Sequence, residues 1–294
     1  EFMHAVKKGG KEYNIWVETL KKRVKTGEPY CFFTDNANRH LPEFWKNNNL
    51  TVKHSNLCSE SMLPTDTEHT LVCCLSSLNL YKYDEWSKTD TVKLSIYFLD
   101  AVISEFLEKA QNIKGIEDAV RFAEKSRALG LGALGWHSYL QSKNVPFISV
   151  YANGLTHRIF GHIKDESEKA TLELGHKLGE PEWCKGTGRR NLTLLAIAPN
   201  RSSSKLSGGL SQGIEPIAAN IYVDDDAKGL HIRRNPELTK LLKSKDRDIP
   251  QVWDQIMLDK GSVANVRCLS EEEKEVFLTF KEINQLELVK QAGI

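Results

Sequence analysis

An α/β fold is predicted for this chain of 294 residues, and three observations predict it. Short, continuously apolar stretches alternate with longer stretches of helical periodicity, the order that arises when strands are joined through helices. Two of the apolar stretches, "HTLVCCLSSLNL" and "NLTLLAIAP", read as buried strands, and the second empties into a serine- and glycine-rich segment of the kind that carries function at strand ends. Hydrophobic residues make up 40% and charged residues 27%, the balance of a globular soluble protein with length enough for a sizeable core.

In chain order, "NIWVETLKKRV" has apolar residues at helical spacing, and "TGEPYCFFTDN" is a Gly/Pro turn leading into an aromatic-rich strand candidate. "HTLVCCLSSLNL" (69–80) is the second strand candidate. Helical patterns follow in "TVKLSIYFLDAVISEFLEKA", "IEDAVRFAEKSRAL" and "THRIFGHIKDESEKATLELGHKLG". "NLTLLAIAP" (191–199) is the third strand candidate, and after "IEPIAANIYVDDDAKG" the remainder reads as helical and charged. The charge runs "KSKDRD" and "EEEKE" read as solvated helix faces. No internal repeat or low-complexity tract interrupts this order.

Composition excludes several classes. The formal net charge of +1 offers no electrostatic argument for nucleic acid or an acidic membrane, so an anionic small ligand has to be held locally. The longest apolar run, "LSIYFLDAVISEFL", is broken by Asp100 and Glu105 and reads as a core helix rather than a membrane span. Six cysteines in a chain this long do not make a disulfide framework, and the start carries no secretory pattern, so a reducing, cytoplasmic setting is expected. The chain opens on Glu1, which suggests a fragment, a processed product or one piece of a split protein.

Four stretches are candidates for chemistry. "GLGALG" (130–135) fits a dinucleotide fingerprint, but a helical pattern rather than a strand precedes it, so close backbone packing is the better reading. His54, Cys58, His69, Cys73 and Cys74 invite a zinc reading, which the vicinal cysteines argue against, and no metal site is assigned. "NRSSSKLSGGLSQG" offers hydroxyls, backbone amides and Arg201 to a phosphate, with a flexible surface loop as the competing reading. In "NLCSE", Asn56, Cys58 and Glu60 alternate, so an extended backbone would present amide, thiol and carboxylate to one substrate: a cysteine that reacts and an acid that moves a proton. The competing reading there is a turn or sheet edge. Cys31, Cys184 and Cys268 are expected to be buried and inert.

At these residues the chain resembles the large, catalytic subunit of ribonucleotide reductase. "SNLCSE" (55–60) resembles that family's loop Ser-Asn-Leu-Cys-x-Glu, "VCCLSSLNL" (72–80) its strand with a redox cysteine, and "IAPNRSSS" with "GIEP" (213–216) its phosphate-binding segment. "RALGLGALGWHSYL" (127–140) is similar to what is read here as a helical core segment. The wording looks closest to class I enzymes, with a bacteriophage-borne branch as one source. The resemblance implies part of a ten-stranded α/β barrel with a central finger loop, spanning 1–294 as the middle to late part of the catalytic barrel domain. The N-terminal specificity region and the C-terminal tail have no counterparts here.

By that resemblance, Cys58 becomes the thiyl radical that takes the 3′ hydrogen of a ribonucleoside diphosphate, Glu60 takes the 3′ hydroxyl proton and Asn56 orients the hydroxyls. Cys73, with Cys74 left as an alternative, belongs to the redox pair. Arg201, Ser202 and Ser203 contact the substrate phosphates, with Asn200 beside them. No cofactor is implied on this chain itself: a dimetal small subunit supplies the radical, and thioredoxin or glutaredoxin the reducing equivalents. Further partners implied are the remaining large-subunit segments and a second copy of the complete subunit, with no nucleic acid or membrane. Two alternatives stand beside this reading, an adenosylcobalamin-dependent (class II) enzyme and an inactive assembly component. Ser61 departs from the family's pattern, since a bulkier apolar residue is common after the glutamate.

Overall fold

The computed structural model describes residues 1–226 and 229–294; Ala227 and Lys228, at the end of "IEPIAANIYVDDDAKG", lie outside the described residues. The predicted α/β class holds. Strand β1 (Leu75–Asn79) pairs in parallel with β2 (Gly130–Leu134), Leu75 opposite Gly130 and Asn79 opposite Leu134. The "NLTLLAIAP" segment runs on the far side of β2. It joins as a single parallel bridge at Leu195, because the backbone bonds that connect it among the described residues are Leu129 N–H to Thr193 O, Leu131 N–H to Leu194 O and Ala196 N–H to Leu131 O. Three parallel segments therefore lie side by side with β2 in the middle, which is why every residue of β2 is buried.

The glycines of "GLGALG" belong to that central strand, which corrects the expectation of a helical core segment; the helix Trp136–Ser142 begins only after Gly135. Close packing is their reason. A Cβ on Gly132 would stand 2.3 Å from Ala196 O, and one on Gly130 would stand 2.4 Å from a Leu75 methyl. Helical periodicity in the preceding Glu117–Ser126 ends at Arg127, whose left-handed backbone (φ 42°) turns the chain into the strand.

Helices Thr91–Ala110 and Val150–Leu178 pack together, and their apolar faces form the main core with both strands, through Ile96, Leu99, Ile103, Leu155 and Ile159. Asp100 interrupts the apolar run for a structural reason. Buried beneath the sheet, it accepts from Arg127 Nε (2.8 Å) and Asn191 Nδ2 (2.8 Å), and Arg127 also reaches Asp100 O and Ser104 Oγ. This network ties the first long helix to the start of β2 and of the third segment, satisfying a charge that would otherwise be costly to bury.

Two expectations about local structure fail. "TGEPYCFFTDN" forms no strand: Gly27, in the left-handed region, ends the helix Lys11–Thr26, and a new helix starts at Thr34. An aromatic run becomes a strand only beside a partner edge, and none adjoins it among the described residues. The remainder after "IEPIAANIYVDDDAKG" is not wholly helical: it opens on β4 (Gly229–Arg234), which pairs antiparallel with β3 (Ile221–Asp226) inside that stretch, before helices Pro236–Ser244, Pro250–Leu258, Glu271–Val276 and Gln285–Ala292. Of "KSKDRD", only Lys243 and Ser244 are helical, while "EEEKE" is a helix start capped by a Ser270–Glu273 box.

A buried histidine joins this C-terminal part to the sheet. His137 Nδ1 accepts from Ile217 N–H (3.1 Å) and Nε2 lies 3.3 Å from Val276 O, which fixes the proton on Nε2. Fully buried, the ring has its pKa driven down to about 4 by desolvation. The unfolded chain therefore binds a proton near pH 6.5 that the folded chain refuses until about pH 4, so the stability due to the neutral ring is complete above pH 6.5 and is lost as pH falls through that window. The loss should reach about 3 kcal/mol. We expect His137→Gln, which keeps both partners but does not titrate, to flatten this part of the denaturant-midpoint profile between pH 7 and 4; equal slopes in the two proteins would refute the assignment.

Candidate active site

The "SNLCSE" stretch is not extended. Asn56 N–H donates to Ser61 O (3.1 Å), Ser61 N–H donates back to Asn56 Oδ1 (3.0 Å), and Ser59 N–H closes a turn on Asn56 O (3.1 Å) with Ser59 at φ 68°. The side chains thus meet a common space through a pinched turn and not through strand alternation. His54 and Thr65 (3.1 Å) hold the base of this finger closed. At its tip Leu57 and Cys58 are exposed, while Glu60 and Asn56 are half-buried.

Against the finger lies the extended stretch entering β1, where neighbouring side chains point to opposite sides. Cys73 faces the finger: Asn56 Nδ2 donates to its Sγ at 3.8 Å. Cys74 faces the core, its Sγ 3.5 Å from Leu99 O. Cys73 is exposed as a whole, but partial burial of its sulfur against the finger, then the Glu60 charge, push the thiol up; hydrogen bonds with Ser61 and Asn56 oppose this, and a charge on Cys58 would add to it. Burial and then Asp100 push the Cys74 thiol up to about 11. Cys73 therefore stays a protonated thiol near neutrality, in contact with the finger, whereas Cys74 is sequestered.

A cavity of about 230 Å³ is lined by Glu60, Ser61, Cys73, Leu129, Thr193 and Ala196, among others. One Glu60 carboxylate oxygen, Oε2, is buried and has no hydrogen-bond partner among the described residues, which leaves it able to accept a proton or a hydrogen bond. Cys58, on the finger's tip, does not line this cavity, although it is close enough to Cys73 for their charges to interact. Leu75 also lines a second, wider cavity with Ser76, Ser77, Ala198, Asn200, Arg201, Ser202 and Ser203, so the serine-rich loop opens next to the thiol–carboxylate pocket. Arg201, Ser202 and Ser203 are exposed and begin a short helix, Arg201–Leu206. Asn200 differs from them: its left-handed backbone (φ 52°) and its Nδ2 bonds to Ala198 O (2.7 Å) and Ala133 O (3.2 Å) spend it on shaping the loop.

Ser61 is the residue whose role the sequence reading missed. Its departure from the family pattern was visible, and its buried hydroxyl next to Cys73 is what that departure provides. Histidines of the discarded zinc set turn elsewhere, His54 to Thr65 and His69 to Asp66. Among the described residues, no three His, Cys, Asp or Glu side chains are grouped to hold a metal ion. Cys184 is buried as expected, but Cys31 and Cys268 are only half-buried, and none of the three lines either cavity.

The family profile described as "Ribonucleotide reductase, barrel domain" matches residues 3–187 and 181–294. The chain belongs to that family. It is 43% identical to the ribonucleoside-diphosphate reductase large subunit of Invertebrate iridescent virus 3, over 98% of this chain and 46% of that protein. Against the large subunit of Invertebrate iridescent virus 6 the identity is 40%, over 95% of this chain and 29% of the relative. Among solved structures it is similar to the Actinobacillus ureae class Id ribonucleotide reductase alpha subunit, with a TM-score of 0.91, 44% identity, and coverage of 99% of this chain and 54% of that one. The three parallel segments and the finger are thus part of a ribonucleotide reductase barrel, and the chain spans about half the length of the first of these viral relatives. No helix among the described residues is long and apolar enough to cross a membrane.

Proposed function

We propose that this chain supplies the radical-forming and substrate-binding part of a ribonucleoside-diphosphate reductase. The observation that carries the proposal is that Glu60 and Cys73 line one cavity while Asn56, from the same finger as Cys58, reaches the Cys73 sulfur. A thiyl radical at Cys58 removes the 3′ hydrogen of the ribose, and Glu60, with its unpartnered oxygen, takes the 3′ hydroxyl proton. The 2′ hydroxyl leaves as water with a proton from the Cys73 thiol, which its raised pKa keeps available. Cys73 and a second cysteine supply two electrons and close to a disulfide, and Cys58 returns the hydrogen to C3′. Asn56 orients the hydroxyls, and Arg201, Ser202 and Ser203 hold the diphosphate.

The second cysteine, the radical source and the dithiol reductant come from beyond these residues: from other large-subunit segments, a dimetal small subunit, and thioredoxin or glutaredoxin. Likeness to a class I alpha subunit favours a small subunit over adenosylcobalamin as the source of the radical. The assembled large subunit is proposed to act as a homo-oligomer in a cytoplasmic, reducing setting.

The open edge of β1, which pairs with β2 alone among the described residues, favours a chain that works only in assembly. The test is co-purification with segments supplying the rest of the large subunit, followed by an assay for deoxynucleoside diphosphates with the small subunit present. We expect turnover from the assembly and none from the 294 residues alone. Turnover by the isolated chain would refute the dependence on other segments, and failure of the segments to bind would favour a different function.

A further inference from the structure

The serine-rich loop leaves the sheet after Asn200, which is tied to Ala133 O, and rejoins the core at Leu210 and Ser211, where Ser211 O accepts from Gly135 N–H. Between those anchors the excursion has little to hold it. Arg201, Ser202 and Ser203 are exposed, Leu206 is 91% exposed, and Ser204 is the buried side chain, bonded within its own turn to Arg201 O. One described ion pair reaches from this excursion to another element: Lys205 Nζ meets Asp224 Oδ1 on β3. Asp224 is 7% exposed, and its other oxygen, which makes no hydrogen bond among the described residues, is 3.5 Å from Arg233 Nε on β4, so both oxygens face a cation.

Taking the serine loop as the diphosphate cradle, we propose that the Lys205–Asp224 pair sets its position, making Asp224 a positioning residue for substrate affinity although it lines neither cavity. Lys205 follows Ser203 by two residues on one short helix, so a shift of its anchor moves both serine hydroxyls and their amides together. A well-placed loop makes its phosphate contacts without first being ordered, and a loosened one must be ordered at the expense of affinity. The chemistry at Cys58 and Cys73 lies on other elements, so the bond-breaking steps should not sense the change. The hairpin, whose apolar side chains Val223, Leu230 and Ile232 are exposed, then serves as the mount for the loop.

The experiment compares Asp224→Asn, Lys205→Met, Lys205→Arg and the Ser202→Ala/Ser203→Ala double variant in the reconstituted reductase. KM for the diphosphate substrate, kcat and the thermal midpoint are measured for each. Asp224→Asn and Lys205→Met should each raise KM about fivefold, the effect of roughly one partly exposed ion pair, with kcat and midpoint unchanged. Combining the two should add nothing further, and Lys205→Arg should stay near the parent. An unchanged KM for Asp224→Asn, or equal loss in kcat and midpoint, overturns the positioning role. If the double serine variant leaves KM unchanged, the cradle reading itself fails; if that variant raises KM and Asp224→Asn does not, only the present inference fails.

Discussion

Cys58→Ser should reduce deoxynucleotide formation in the assembled enzyme to background while leaving substrate affinity and folding nearly unchanged. The expectation follows from where Cys58 sits and from what an oxygen cannot do. Cys58 is exposed at the tip of the finger, and the bonds that shape this turn belong to Asn56, Ser59 and Ser61. Replacing sulfur by oxygen there costs within about 0.5 kcal/mol of stability, as at other exposed positions without a special backbone or partner. In the proposed site affinity rests on Asn56, Glu60 and the serine loop, none of which changes. The chemistry does change, because a hydroxyl's O–H bond is too strong to be broken in exchange for the radical delivered to this site. A serine therefore blocks the first step and every later one. Retained turnover in the variant would remove Cys58 from the reaction, and a large loss of nucleotide affinity would mean that the finger has another structural duty.

The same finger shows what was legible in the residues and what was not. The candidate set could be picked out because Asn56, Cys58, Glu60 and Cys73 are unusual chemistry packed into a short span, and the geometry brings Asn56, Glu60 and Cys73 close to one another. The route to that geometry was not readable. Alternation implies a strand only where backbone bonds go to a neighbouring chain, and here Asn56 uses its own amide and side chain to pair with Ser61 across a turn. A similar limit applies to "GLGALG". Its glycines look like a ligand loop or a helix when taken alone, and only the approach of Leu75 on one side and Ala196 on the other makes them a central strand. The aromatic stretch "TGEPYCFFTDN" failed for the converse reason, having strand-like residues without an edge to join. The strands Ile221–Asp226 and Gly229–Arg234 were missed because their apolar alternation is short, Ile221 with Val223 and Leu230 with Ile232, and runs into charged residues on both strands.

The vicinal cysteines offer the second large effect. Cys73→Ser should leave a site in which hydrogen abstraction begins but reduction stalls, so that the nucleotide decomposes and releases its base, whereas Cys74→Ser should keep most of the turnover. Composition cannot separate two adjacent thiols; position can. Cys73 meets Asn56 and lines the cavity with Glu60, and its thiol is held protonated by burial and by the neighbouring carboxylate, as a proton donor to a departing 2′ hydroxyl requires. Cys74 also borders that cavity, but its sulfur points at Leu99 O and stands against Asp100, with a pKa pushed up to about 11. A serine at 74 can donate to the same carbonyl, so its cost should be about 1 kcal/mol of stability without a chemical defect. Base release measured against deoxynucleotide formation distinguishes the two variants, since a structural defect lowers both products and a missing reductant converts one into the other. If Cys74→Ser releases base and Cys73→Ser reduces normally, the backbone of this segment must be turned by one residue, which would carry Leu75 and the start of β1 with it and break the register with Gly130. The observed pairing of Leu75 with Gly130 is therefore bound to the identity of the reductant, and a single pair of substitutions tests both.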